Sequence, residues 1–100
     1  MWITSQDAEM ILLDYFSENN DSLEDVYVVM LKQTEVEAVF RFTIILSRGS
    51  EKWSKFSGYL RVMRNGRAVV KVGPITSEVD KASVERILNV KRSKTISVRA

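Results

Sequence analysis

Aromatic and basic side chains alternate along residues 53–63, and this pattern has the clearest chemical meaning in the chain. Alternate residues of an extended strand share one face, so Trp53, Tyr59 and Arg61 are expected on the same side. Bases of a single-stranded nucleic acid stack on aromatic rings, at about 1–3 kcal/mol each, while Arg and Lys contact the phosphates. The alternation therefore predicts a face that binds nucleic acid.

The predicted face extends over three neighbouring strands and the turn that joins the last two. An Asn-Gly sequence at 65–66 is flanked by two arginines, which could contact a nucleic-acid backbone. The predicted binding residues are Arg41, Trp53, Lys55, Tyr59, Arg61, Arg64, Arg67 and Lys71. Nucleic acid, either DNA or RNA, is the first predicted partner.

Apolar residues on the same face leave two other interpretations open. These residues are Val39, Ile45, Met63 and Val69. Their presence makes the face more apolar than a merely solvated surface, which is also typical of protein–protein contacts. The chain could instead be a protein-interaction module, such as an inhibitor, an adaptor or a homodimer. Alternatively, the face could be covered by the tail or by a helix of the same chain.

The residue types that most often carry out catalysis are missing. The chain has no histidine and no cysteine, so nucleophile systems of the Ser-His-Asp and Cys-His kinds are impossible. Thiolate and imidazole metal sites are excluded for the same reason. Asp21, Glu24 and Asp25 lack the ligand spacing and the internal glycine of a calcium loop. We therefore predict a small non-enzymatic binding or regulatory protein with no cofactor and no metal.

Length and composition predict a single domain over residues 1–100. The chain is 45% hydrophobic and 28% charged, which is ordinary globular composition. No apolar run approaches the roughly 18 residues of a membrane span, and the first residues lack the pattern of a signal peptide. We expect a cytoplasmic protein without a membrane partner.

Charge is distributed unevenly along the chain. Residues 1–40 contain nine acids and one base, whereas residues 41–100 contain fourteen bases and four acids. Such asymmetry predicts either a surface for a polyanion or a partner of complementary charge. Packing of the two halves against each other, with mutual neutralisation, would explain it equally well.

Hydrophobic periodicity places the elements that position these residues. Thr4 or Ser5 caps a helix over 5–18, and the apolar run 26–31 is a strand. Alternation predicts a second strand from Val36 to Ser47 and a third over 53–63. A fourth strand follows the turn at 64–67 and ends at the Gly-Pro pair at 73–74. A second helix is expected from Thr76 or Ser77 to about Asn89, and residues 95–99 alternate as a short final strand would.

The turn at 64–67 fixes how the third and fourth strands pair. A two-residue Asn-Gly turn mixes charge into the apolar face, whereas a bulged turn pairs Leu60 with Val70 and Val62 with Ala68. The pattern favours the bulged turn. The predicted fold is an α+β two-layer sandwich in which a four-stranded antiparallel meander lies between an N-terminal and a C-terminal helix. The face from Val36 to Leu46 is the one expected beneath the helices.

Overall fold

The elements follow the order α-β-β-β-β-β-α in a computed structural model that describes residues 1–18, 22–48 and 52–89. Their bounds are α1 Ser5–Glu18, β1 Ser22–Gln33, β2 Glu37–Arg48, β3 Lys52–Met63, β4 Ala68–Val72, β5 Ile75–Val79 and α2 over 81–89. The strands form one antiparallel sheet in sequence order. The predicted α+β class is confirmed, with a helix at each end of a meander.

Helix α1 begins where its capping residues dictate. The Asp7 carboxylate accepts hydrogen bonds from the Thr4 backbone N–H at 2.8 Å and from the Thr4 hydroxyl at 3.0 Å. The Asp7 N–H in turn donates to the Thr4 hydroxyl at 3.2 Å, which satisfies an amide of the first turn. Ile11, Leu12 and Phe16 are then buried at helical spacing. The predicted helix is confirmed, with Thr4 as its cap.

The β3–β4 connection is the bulged turn that the apolar pattern predicts. Leu60 lies opposite Val70 and Val62 lies opposite Ala68. The Met63 N–H donates to the Arg67 carbonyl at 2.7 Å, and Gly66 has a φ of 99°. Glycine occupies this left-handed region without steric cost, so the bulge can form here.

The core lies between the helices and one face of the sheet. Alternate residues of β2 are buried, as predicted, namely Ala38, Phe40, Phe42, Ile44 and Leu46. Val36 departs from the prediction: it precedes β2 and its side chain is 63% exposed. On β3, the lack of a side chain at Gly58 lets the neighbouring strand β4 approach closely. A Cβ at this position would meet the Lys71 carbonyl of β4 and would lie 2.9 Å from the Phe42 ring of β2. The alternating pattern therefore predicts the buried face correctly within β2.

The start of the second helix is a correction to the sequence prediction. Thr76 lies in strand β5, which pairs with β4 around the turn at 73–74. Asp80 begins α2 instead, since its carboxylate accepts from the Ala82 N–H at 3.2 Å and its carbonyl accepts from the Ser83 N–H at 3.1 Å. A strand forms because β-branched residues at 75–79 can pair with β4 along their whole length. The possible final strand at 95–99 lies outside the described residues.

Both helices cover the same face of the sheet. Val84, Ile87 and Leu88 of α2 join the core cluster that contains the buried residues of α1. Arg86 of α2 donates to the Asp14 carboxylate of α1 at 2.6 Å, which joins the helices at the surface. Among the described residues, no helix or strand covers the opposite face, which is called the open face below. No helix in the described part of the chain is long and apolar enough to cross a membrane.

Candidate functional site

A row of side chains crosses the open face at right angles to the strands. Tyr59 at the centre of β3 lies opposite Arg41 of β2 on one side and opposite Lys71 of β4 on the other. All three side chains are exposed, Tyr59 by 47%. Opposed residues in an antiparallel sheet have Cβ atoms about 4.5–5.5 Å apart. An exposed tyrosine is therefore flanked by two basic residues on neighbouring strands, and these three residues are called the central row.

The row of residues next to the central row contains a basic residue that already has an acidic partner. Arg61 lies between Val39 and Val69. Its Nε is 2.9 Å from a carboxylate oxygen of Glu37, and Lys32 Nζ is 3.3 Å from the other oxygen. Glu37 therefore shares its single charge between two bases. Arg61 lies on the predicted face but is less available to an anionic ligand than Arg41 or Lys71.

Arg67 is neutralised in the same way by a residue of the fifth strand. Its guanidinium lies 3.1 Å from the carboxylate of Glu78, and both side chains are largely exposed. Glu78 reaches the open face because it is opposite Val69 in the β4–β5 pairing. In contrast, Arg41, Lys55 and Lys71 have no acidic partner within 4.0 Å among the residues that the structure describes.

Lys55 extends the basic surface along β3. It lies opposite Ile45, four residues from Tyr59 on the same face, which corresponds to about 13 Å along an extended strand. Between them, the Thr43 and Ser57 hydroxyls are 3.1 Å apart and hydrogen-bonded across the strands. Small polar side chains thus separate Lys55 from the central row and leave the path between them unobstructed.

Arg64 occupies a different part of the molecule. Its guanidinium donates to the Glu35 carbonyl at 3.2 Å and lies 6.0 Å from the centre of the Trp2 ring. Trp2 is itself held by a hydrogen bond from its indole N–H to the Thr34 carbonyl at 2.7 Å. These contacts attach the N-terminal segment to the end of the sheet. Arg64 therefore belongs to a structural cluster at that end, separate from the central row.

Trp53 was expected to supply a second stacking surface. Its backbone lies in β3 opposite Ser47, which is consistent with the predicted alternation. Its side chain lies outside the part of the structure that is described. Tyr59 is therefore the aromatic residue of β3 whose exposed side chain the structure describes on the open face.

The first strand adds residues to the open face that the sequence analysis did not include. Tyr27 lies opposite Thr43 and is 58% exposed, and Val29 lies opposite Arg41. The Tyr27 hydroxyl donates to the Asp25 carboxylate at 2.8 Å. This hydrogen bond, followed by the negative charge of Asp25, raises the pKa of the Tyr27 phenol above its usual value. Aligning the apolar alternation of 26–31 with that of β2 could have revealed these residues.

The described residues include no group of three or more His, Cys, Asp or Glu side chains arranged to hold a metal ion. An open groove of about 920 Å³ runs along the β4–β5 edge, and its polar lining includes the paired Arg67 and Glu78.

The chain matches no known protein family, and neither the curated proteins nor the solved structures contain a significant match.

Proposed function

We propose that the chain is a non-enzymatic protein that binds single-stranded nucleic acid on its open face. The observation that carries this proposal is the central row, in which an exposed tyrosine lies between two cations without an acidic partner in the described chain. A base can stack on Tyr59 while the phosphates on either side of it contact Arg41 and Lys71. The sequence supplies no histidine or cysteine for the commonest catalytic systems.

The spacing of the sheet is compatible with contacts to two phosphates of one nucleic-acid strand. Adjacent strands are about 4.8 Å apart, so Arg41 and Lys71 are separated by about 10 Å across β3. At this separation, two phosphates of one nucleic-acid strand can contact one cation each, on either side of a base stacked on Tyr59. Lys55 then provides a third contact further along β3.

Fluorescence anisotropy of a labelled single strand tests this proposal. The probes are DNA and RNA of mixed sequence and about 15 nucleotides, within the range of known site sizes. Tyr59→Leu retains an apolar side chain but removes the ring, and it should weaken binding about 5- to 150-fold, which corresponds to 1–3 kcal/mol of stacking. Circular dichroism would verify that the variant folds.

Lys81→Gln is the matched control for the basic residues of the face. Lys81 is exposed on α2, on the helical layer, where it pairs with Glu85 at 3.6 Å. Lys71→Gln and Lys81→Gln remove the same charge, but only the first should weaken binding. Equal losses from both variants, or no binding of either strand at low salt, would refute the proposal.

A further inference from the structure

The two edges of the sheet differ in how well they are protected against pairing with another strand. Edge strand β5 is five residues long, follows Pro74 and carries Glu78. Short strands, proline and charge are the usual means of protecting an edge. Edge strand β1 is twelve residues long and contains neither proline nor glycine. The charges and register shifts of β1 lie near its two ends, so the middle of β1 is the part of either edge that lacks these features.

The middle of β1 is apolar on both faces and carries no charge. On the helical side, Val26, Val28 and Met30 pack against the core. On the other side, Tyr27, Val29 and Leu31 are 58%, 61% and 53% exposed. A run of six apolar, mostly β-branched or aromatic residues along an unpaired edge is prone to add a further strand. The apolar run thus needs a cover that no described element of this chain provides.

The charges at the two ends of β1 indicate what that cover is. Glu24 and Asp25 stand before the apolar run and Lys32 stands after it. A second β1 strand in antiparallel orientation brings the acidic end of each copy to the basic end of the other, whereas a parallel strand places like charges together. With the two-fold axis at Val28, Glu24 faces Lys32 of the other copy, and this pair occurs twice.

The same register matches the apolar residues of 26–30 on each face, while Leu31 faces Asp25 of the other copy. Tyr27 faces Val29 of the other copy on the open side, and Val26 faces Met30 on the helical side. Register shifts between β1 and β2 occur at Leu23/Asp25 and Met30/Lys32, so residues between them form a regular segment available for pairing. The end charges Glu24 and Lys32 and the apolar residues of 26–30 are therefore complementary in one antiparallel register.

We propose that the occupant of the β1 edge is a second copy of this chain, paired antiparallel about Val28. The two five-stranded sheets then form one continuous sheet. Since the two-fold axis is normal to the sheet, both open faces lie on the same side. This proposal concerns association of the free protein and does not depend on nucleic-acid binding.

Analytical ultracentrifugation of the free wild-type chain tests the proposal directly. We expect a monomer–dimer equilibrium over the micromolar range. Every second amide of residues 26–30 points away from β2, and hydrogen exchange should show these outward amides becoming protected as the dimer population rises, because they then pair with the other copy. A chain that remains monomeric throughout overturns the proposal, and so does a dimer in which those amides exchange at the monomer rate.

Charge-reversal substitutions at the two ends of β1 test the identity and the orientation of the partner. Glu24→Lys and Lys32→Glu each place like charges opposite one another in a homodimer, which should raise the dissociation constant about tenfold. An equimolar mixture of the two variants restores both opposite-charge pairs in the heterodimer, so it should associate about as tightly as the wild type. Thr76→Lys, on the β5 edge, is the control and should leave association unchanged.

The heterodimer keeps the result informative if a single variant loses stability. Recovery on mixing requires antiparallel β1–β1 contact, whereas a stability defect would persist in the mixture. Failure to recover, with both chains folded by circular dichroism, overturns the proposed register. A monomer whose β1 amides are nevertheless protected would mean that a segment of the same chain covers the edge, which also overturns the proposal.

Discussion

The salt dependence of nucleic-acid binding should report which cations of the open face are free. Each phosphate neutralised on a single strand contributes about −0.7 to the slope of log K against log salt. Arg41, Lys55 and Lys71 lack an acidic partner in the described chain, so three contacts give a slope of about −2. Affinity should therefore fall about 20-fold between 50 and 200 mM salt.

Removing the acid that neutralises Arg67 should add a contact. In the wild-type chain, the Arg67 guanidinium lies 3.1 Å from a charged oxygen of Glu78. Glu78→Gln retains the shape of the side chain but leaves the guanidinium without its ion-pair partner. The slope should steepen to about −2.8, and the same change of salt should cost roughly 50-fold in affinity. Because the ion pair is exposed, its loss should cost at most about 1 kcal/mol of stability.

Lys71→Gln should have the opposite effect. With two contacts remaining, the slope should become about −1.4, and raising the salt should reduce affinity about sevenfold. The assay is fluorescence anisotropy of one labelled single strand at several salt concentrations, with the protein variants measured in parallel. The three predicted slopes are far enough apart for such titrations to distinguish them.

Glu85→Gln separates a local contact from a general effect of net charge. It removes the same charge as Glu78→Gln, but Glu85 pairs with Lys81 on the helical layer. The slope should therefore match that of the wild type. If Glu85→Gln steepens the slope as much as Glu78→Gln, or if Lys71→Gln leaves it unchanged, the assignment of phosphate contacts to the open face is wrong.

Two further predictions concern the structure that supports the face. Gly58→Ala should destabilise the fold by about 1–3 kcal/mol, measured by urea unfolding. The new Cβ would meet a β4 carbonyl that cannot rotate away, and it would lie 2.9 Å from the Phe42 ring. Unchanged stability would mean that β3 and β4 are not closely packed at this position. Asp25→Asn should lower the Tyr27 pKa towards 10.0, because the charged acceptor that favours the protonated phenol is removed. NMR titration of the tyrosine ring signals would measure this shift, and an unaltered pKa would exclude the hydrogen bond.

Periodicity predicts those parts of the fold in which each face of a strand has one character. The β3–β4 register follows from it, because a slip by one residue would move Leu60 and Val62 off the core face. The segment 75–79 is different. Its threonine and serine are good helix caps, while its β-branched residues suit a strand. Pairing with β4 decides between them, and pairing is a non-local property that a local pattern does not contain.

The incorrect prediction of a helix at 76–79 also explains why the sequence does not reveal which bases of the site already have an acidic partner. Glu78 faces Arg67 only because residue 78 lies in a strand opposite Val69. Placed on a helix, it would have belonged to the other layer. Glu37 lies on the same face as Arg61, and only its diagonal position across the β2–β3 register shows that the two side chains meet. The types of the site residues are thus readable from sequence, but their availability depends on register.

Folding pairs some acids of the first forty residues with bases of the rest of the chain, and the bases that stay unpaired in the described chain are not scattered evenly over the surface. Asp14 pairs with Arg86 and Glu37 with Arg61, so acids of the first forty residues do meet bases of the rest. This internal pairing accounts for some of the asymmetry without any ligand. Yet the exposed bases Arg41, Lys55 and Lys71 lie on the same open face, and none of them has an acidic partner within 4.0 Å in the described chain. Mutual neutralisation alone gives no reason for that clustering, whereas a polyanionic ligand does.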